Sequence, residues 1–177
     1  MKTTAELEGR GLKWMRTGGL RNNGELRDED GEVLATISQP SIWRRMVEVE
    51  AVGNRWRFER KGIFRQRIEI SSIGTGEAPA IYIYQYPGNK GRLEYADGRV
   101  FLWRQGNFWG SKWVWTTEDG VPLIGFKTGG FWRLSGEMSL HPNFEEDKAP
   151  SLLVFLGWYL IMLYYEDSAG SSTVVTV

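Results

Sequence analysis

Between Ala149 and Tyr165 the chain runs seventeen residues without a charged side chain, "APSLLVFLGWYLIMLYY". Wound into a helix, this stretch places Leu152, Phe155, Leu156, Tyr159 and Leu163 on one side and Leu153, Trp158, Ile161, Met162 and Tyr165 on the others. A helix that is apolar all round is either buried on every side or immersed in lipid. At 1.5 Å per residue it spans ~25 Å, short of the ~30 Å hydrocarbon core, although spanning helices begin near ~17 residues. Each large side chain withdrawn from water contributes roughly 1.5 to 3 kcal/mol, so a helix carrying about a dozen of them is expected to belong to the core. The reading places it at about 150–166.

Everything before it reads as β-structure. "NNG" at 22–24, "EDG" at 29–31, "ADG" at 96–98 and "EDG" at 118–120 set Asn-Gly or Asp-Gly between strand-like runs, the pattern of tight primed hairpin turns. Further breaks fall at 52–54, 60–62, 74–79, 86–91 and 104–107, leaving roughly ten to twelve short strands, among them "EVLATI", "RRMVEVEAV", "AIYIYQY", "RVFLWR" and "KWVWTT". No helical period appears before residue 141. Nine Trp, eight Phe and seven Tyr beside 22 Gly supply bulky strand residues and tight turns, as in an all-β barrel or sandwich. About eight strands already enclose an interior that side chains just fill, so a twelve-stranded barrel needs a plug. The fold predicted is therefore mainly β: a closed antiparallel barrel of about twelve strands around a buried hydrophobic C-terminal helix. One domain is expected over 1–170, with a tail at 171–177.

The hairpin around Gly62 shows the detail that alternation provides. A turn centred near Gly62 sets Trp56 opposite Ile68 and Phe58 opposite Gln66, with Trp56, Phe58, Ile68 and Ile70 facing inward. The outer face then pairs Glu59 with Arg65, Arg57 with Arg67, and Arg55 with Glu69.

Composition removes several classes of function. There is no Cys, hence no disulfide framework, thiolate nucleophile or Cys-based zinc site, and the single His, His141, forms no multi-histidine site. Twenty-two basic and 22 acidic side chains cancel, so no nucleic-acid partner is expected. The N-terminus shows no apolar run of the signal-peptide kind, which sets a cytoplasmic location as the default. "GTGEAP" and "GRGLKW" match neither G-x-G-x-x-G nor a P-loop, so no cofactor is called for. A carboxylate-pair hydrolase would need two acids brought together by the fold, and the sequence selects no pair.

The order of these elements resembles the Tubby-like superfamily, which includes Tubby C-terminal domains, phospholipid scramblases and the plant LURP-one-related proteins. The likeness is carried by "GELRDEDGEVLATI" (24–37), "LEYADGRVFLWR" (93–104), "WVWTTEDGVPLIGFK" (113–127), and the closing run of strand "LSGEMSL", acidic loop "NFEEDKAP" and apolar helix. It covers nearly the whole chain as pattern more than as motif. The resemblance implies twelve antiparallel strands around a central helix and a non-enzymatic role. Tubby domains bind phosphoinositide head groups through surface Lys and Arg, and scramblases carry a calcium-binding acidic segment. Neither set of positions maps onto this chain residue by residue.

Three clusters remain as candidates. Residues 44–67 hold eight basic side chains against three acidic ones, a local +5. Arg55, Arg57, Arg65 and Arg67 are the expected contacts to an anionic head group, since the guanidinium fork meets phosphate with two hydrogen bonds. The competing expectation is a solvated sheet face laced with ion pairs. Trp103, Trp109, Trp113 and Trp115, with Phe108, form either a stacking platform for a carbohydrate or the barrel lining that presses on the helix; the lining is preferred. Glu145, Glu146 and Asp147 either hold a cation or complement the helix N-terminus, and the latter is preferred. The function read from the sequence is thus a non-enzymatic binding or regulatory protein engaging anionic phospholipid head groups at a membrane surface. A Trp-lined carbohydrate or small-ligand barrel and a tail-anchored protein are the alternatives.

Overall fold

The computed structural model describes residues 12–17, 23–40, 45–51, 53–62, 67–74, 79–85, 89–107, 110–129, 135–144 and 151–170. Its strands are β1 (Leu12–Arg16), β2 (Gly24–Arg27), β3 (Val33–Ser38), β4 (Met46–Ala51), β5 (Asn54–Lys61), β6 (Arg67–Ser72), β7 (Ala80–Gln85), β8 (Lys90–Tyr95), β9 (Val100–Gln105), β10 (Lys112–Thr117), β11 (Pro122–Gly129) and β12 (Ser135–Leu140). Each pairs antiparallel with its sequence neighbours, and β1 pairs with both β2 and β12, closing the barrel. Closure removes the exposed edges on which further chains would add.

Three of the Asp-Gly turns share one geometry. The N–H of Gly31, Gly98 and Gly120 donates to the carbonyl three residues back (Asp28, Tyr95, Thr117), and that residue's own N–H donates to the carbonyl four residues on. The glycines have φ of 82°, 92° and 86°, and among the described residues no other residue type takes a positive φ. This is a tight turn followed by a left-handed glycine, the bulged three-residue hairpin, instead of the expected primed turn. "NNG" is corrected further. Gly24 is the first residue of β2, where a Cβ would lie 2.6 Å from the ring of Trp14, so its lack of a side chain serves packing.

Alternation carries one row of each strand inward. Leu12 and Trp14, Val47 and Val49, Trp56 and Phe58, Ile68 and Ile70, Phe101 and Trp103, and Trp113 and Trp115 are all buried. Around the Gly62 turn the inward set is the expected one, but the partners are not. Phe58 lies opposite Ile70, Trp56 opposite Ser72 and Lys61 opposite Arg67, four positions away from the expected register. Gly62 (φ 87°) follows Lys61 at the end of β5, so the turn is centred beyond it.

The C-terminal helix α1 (Leu152–Gly170) is on the barrel axis, and it extends past the expected end at 166 by four residues, to Gly170. From Leu152 to Leu163 it is buried all round. Phe155 and Tyr159 meet Trp56 and Phe58 of β5 at 5.4 and 5.7 Å between ring centroids, while Trp158 meets Phe126 of β11 at 5.4 Å and stacks on Trp14 of β1 at 5.6 Å. In a ring of twelve, β5 and β11 stand six strands apart, so the helix touches opposite walls at once. Gly157 and Gly136 permit this approach, facing the rings of Phe126 and Trp158 where a Cβ would collide.

Candidate functional site

Strand direction gives the barrel two distinct ends. Near one, Trp113 at the start of β10 meets Tyr164 at 5.0 Å, Thr128 at the end of β11 bonds the Tyr165 hydroxyl at 2.9 Å, and Arg16 at the end of β1 lies 3.6 Å from Glu166. This is the end where the helix finishes. Arg16, Arg45, Lys61, Arg67, Lys90 and Lys112 stand on its rim, at the terminus of a strand or one residue beyond. Arg45, Lys90 and Lys112 have no ion-pair partner among the described residues, whereas Lys61 and Arg67 pair with Glu59 and Glu69 at 2.6 and 2.8 Å. The opposite end is made of the bulged turns and carries Asp28, Glu29, Asp30 and Glu32, then Asp97, then Glu118 and Asp119. Arg27 and Arg99 also stand at this end, paired with Glu25 and Asp97.

The four arginines singled out from the sequence do not form one cluster. Arg55 lies on the first half of β5, toward the acidic end, and bonds Glu50 at 3.3 Å; Arg57 bonds Glu48 at 3.1 Å. Arg67 is on the basic rim and bonds Glu69 at 2.8 Å. Arg65 is outside the described residues. The observed register sets Arg57 opposite Ser71 instead of Arg67, and Glu59 opposite Glu69. A hollow of about 310 Å³ beside Arg57 is also lined by Glu59 and Glu69, so two carboxylates flank the one guanidinium. Exposed pairs of this kind contribute ~0 to 1 kcal/mol each.

The tryptophan platform is replaced by a buried cluster. Trp103, Trp113 and Trp115 are 2%, 3% and 0% exposed, which withdraws them from any outer surface. Trp103 stacks on Trp113 with centroids 5.5 Å apart, and Trp115 presents its edge to Tyr82 at 6.1 Å. Phe108 and Trp109 are outside the described residues, as are Glu145, Glu146 and Asp147. His141 is exposed, within 3.2 Å of Asn143. Among the described residues no group of three or more His, Cys, Asp or Glu is placed to hold a metal ion. Nor is any described helix long and apolar enough to cross a membrane, and the apolar surface an anchor would offer to lipid is enclosed by the barrel.

Burial and a neighbouring guanidinium displace the pKa values of Tyr159 and Asp97. Burial holds the Tyr159 phenol well above its usual range, with Arg60 drawing it down and Glu166 pushing it up less strongly. A hydrogen bond from the Arg99 guanidinium, joined by one from the Arg99 N–H, holds Asp97 below the usual carboxylate range. Tyr159 is thus a neutral core residue at physiological pH, and Asp97 an ionised member of a turn.

Sequence reasoning missed the segregation of charge between the ends because it counted charge along the chain. The signal was there once the strand boundaries are known: Arg16, Arg45, Lys61, Arg67, Lys90 and Lys112 fall at strand termini on one side of the alternation, and the turns with Asp28, Asp97 and Asp119 on the other. Comparison with protein-family models, with curated proteins and with solved structures finds no match.

Proposed function

We propose that this chain is a non-catalytic binding protein that engages anionic phospholipid head groups peripherally, with its basic end toward the membrane. The observation that carries the reading is the segregation of charge: Arg16, Arg45, Lys61, Arg67, Lys90 and Lys112 on one rim, and the Asp- and Glu-rich turns on the other. Basic residues held near an anionic leaflet are worth ~1 kcal/mol each, and a polar molecule orients itself in that field. The links that join strands across the basic end support the same orientation by composition. Outside the described residues they contain Arg21, Arg44, Arg65 and Arg133, with Trp43, Phe64, Tyr86, Trp109 and Trp132, and no Asp or Glu. The resemblance to the Tubby-like superfamily supports a lipid-facing role as well.

Co-sedimentation with phosphatidylcholine vesicles, with and without about one-fifth phosphatidylserine, tests the reading. Binding is expected only to the anionic vesicles and is expected to fall steeply with added salt, because exposed charges are screened over ~8 to 10 Å at physiological strength. Arg45→Glu with Lys90→Glu should weaken it at least about tenfold, while Asp30→Lys with Asp119→Lys should not. Equal binding to neutral vesicles, or no loss in the Arg45/Lys90 variant, would overturn it.

A further inference from the structure

The two ends of the barrel differ in more than charge. Among the described residues, four exposed large apolar side chains stand at the acidic end: Val33 opens β3, Ile73 follows the last residue of β6, Ile81 is the second residue of β7, and Val121 precedes β11. A fifth, Met15, stands beside Arg16 at the basic rim. Arg27 and Arg99 are tied to Glu25 and Asp97, but Asp30, Glu118 and Asp119 have no ion-pair partner among the described residues. Arg45, Lys90 and Lys112 are in the same condition on the opposite rim. Acids that only met water would need no apolar neighbours, whereas apolar groups set among polar ones are the make-up of a surface that docks.

We propose that the acidic end of one copy of this chain docks on the basic rim of a second, so that barrels stack head to tail. The two surfaces match in size as well as in sign, because both are cross-sections of one closed ring. Strands ~4.8 Å apart and tilted by ~40° put the wall of a twelve-stranded ring at a radius of roughly 12 Å, and side chains widen each end to about 800 Å², the area per partner of a standard interface. The chain's net charge is zero, so no long-range repulsion opposes the approach of two copies. Unpaired carboxylates on the turns meet unpaired ammonium and guanidinium groups on the facing rim, which steers the approach and fixes its polarity. Val33, Ile73 and Val121 leave water as the surfaces close. Such a contact is heterologous, with a different patch on each partner, so every stack ends in one free rim and one free acidic end. A rim covered by another copy's turns is withheld from lipid. The inference goes beyond the membrane contact proposed above and needs no membrane.

Sedimentation velocity of the full chain without lipid tests it. At about 0.01 M salt, where charges act over ~30 Å, the weight-average mass is expected to climb with protein concentration; at about 1 M salt, where they act over ~3 Å, it should return to that of the monomer. Arg45→Glu with Lys90→Glu, and separately Asp30→Lys with Asp119→Lys, should each weaken self-association at least about tenfold while leaving the thermal melt in place, since all four side chains are exposed. Mixing the two variants in equal amounts should restore association, because the first keeps its acidic end, the second keeps its basic rim, and the contact needs one of each. A native chain that stays monomeric at low salt, association that survives in either variant alone, or a mixture that stays monomeric overturns the inference. If that monomeric chain binds an oligolysine peptide and the Asp30/Asp119 variant does not, the acidic end serves a basic segment of another protein instead. The Asp30/Asp119 variant should still sediment with phosphatidylserine vesicles, so loss of stacking and loss of membrane contact are told apart.

Discussion

Gly24, Gly91, Gly136 and Gly157 each face an aromatic side chain so closely that a Cβ would overlap it, the partners being Trp14, Tyr82, Trp158 and Phe126. Aromatic rings fill the interior, and glycine on the facing backbone makes the room for them. Sequence reading found the rings, since alternation sends Trp103, Trp113 and Trp115 inward, but it assigned Gly24 and Gly91 to turns. Gly31, Gly98 and Gly120 are such turns; Gly24 is not. The difference depends on what stands across the barrel, which no local pattern records. Gly157 gives the sharpest test at this scale. In an isolated helix, alanine in place of glycine is favourable by ~1 kcal/mol. Here the added methyl meets the Phe126 ring and the Trp115 indole in a packed interior, where overpacking costs ~1 to 3 kcal/mol. Gly157→Ala is therefore expected to lower the melting temperature, and chemical denaturation should show a net loss of up to about 2 kcal/mol. A more stable variant would mean that the helix stands farther from β11 than described.

At the scale of elements, strand identities were legible because alternation has a period of two, and cross-strand partners were not. The β5–β6 hairpin is displaced by four positions from the register that a turn centred at Gly62 implies, and an even displacement keeps every side chain on its own face. Trp56, Phe58, Ile68 and Ile70 were thus assigned inward correctly while the expected pairing of Arg57 with Arg67 dissolved. The helix was legible for the opposite reason, since a run that is apolar on all sides has few places to go. Leu156, fully buried in the second turn of the helix, tests that placement. Leu156→Asp puts a carboxylate where the described surroundings are apolar, at a cost on the order of the ~5 to 15 kcal/mol net stability of a domain. The expected outcome is loss of the cooperative melt followed by circular dichroism, whereas Leu156→Met, which conserves volume, should cost under about 1.5 kcal/mol. A folded aspartate variant would place the helix at a wet surface.

At the scale of the whole molecule, closure of β1 against β12 creates what the sequence could not show. Arg16 joins Lys112 on one rim across that seam, and the strand termini and turns sort into a basic end and an acidic end only when the direction of every strand is known. The same closure makes the helix indispensable. A ring of twelve strands is wider than its own side chains fill, so the helix supplies the core that the walls enclose. Truncation after Pro150 separates a plugged barrel from a self-sufficient one. Without the helix, Trp14, Trp56, Phe58 and Phe126 lose their partners and border a void too large to collapse. Circular dichroism and a thermal melt of residues 1–150, set beside the full chain, should show an aggregated or unfolded product with no cooperative transition. A sharp melt with native-like β signal from the truncated chain would contradict a barrel built around its C-terminal helix.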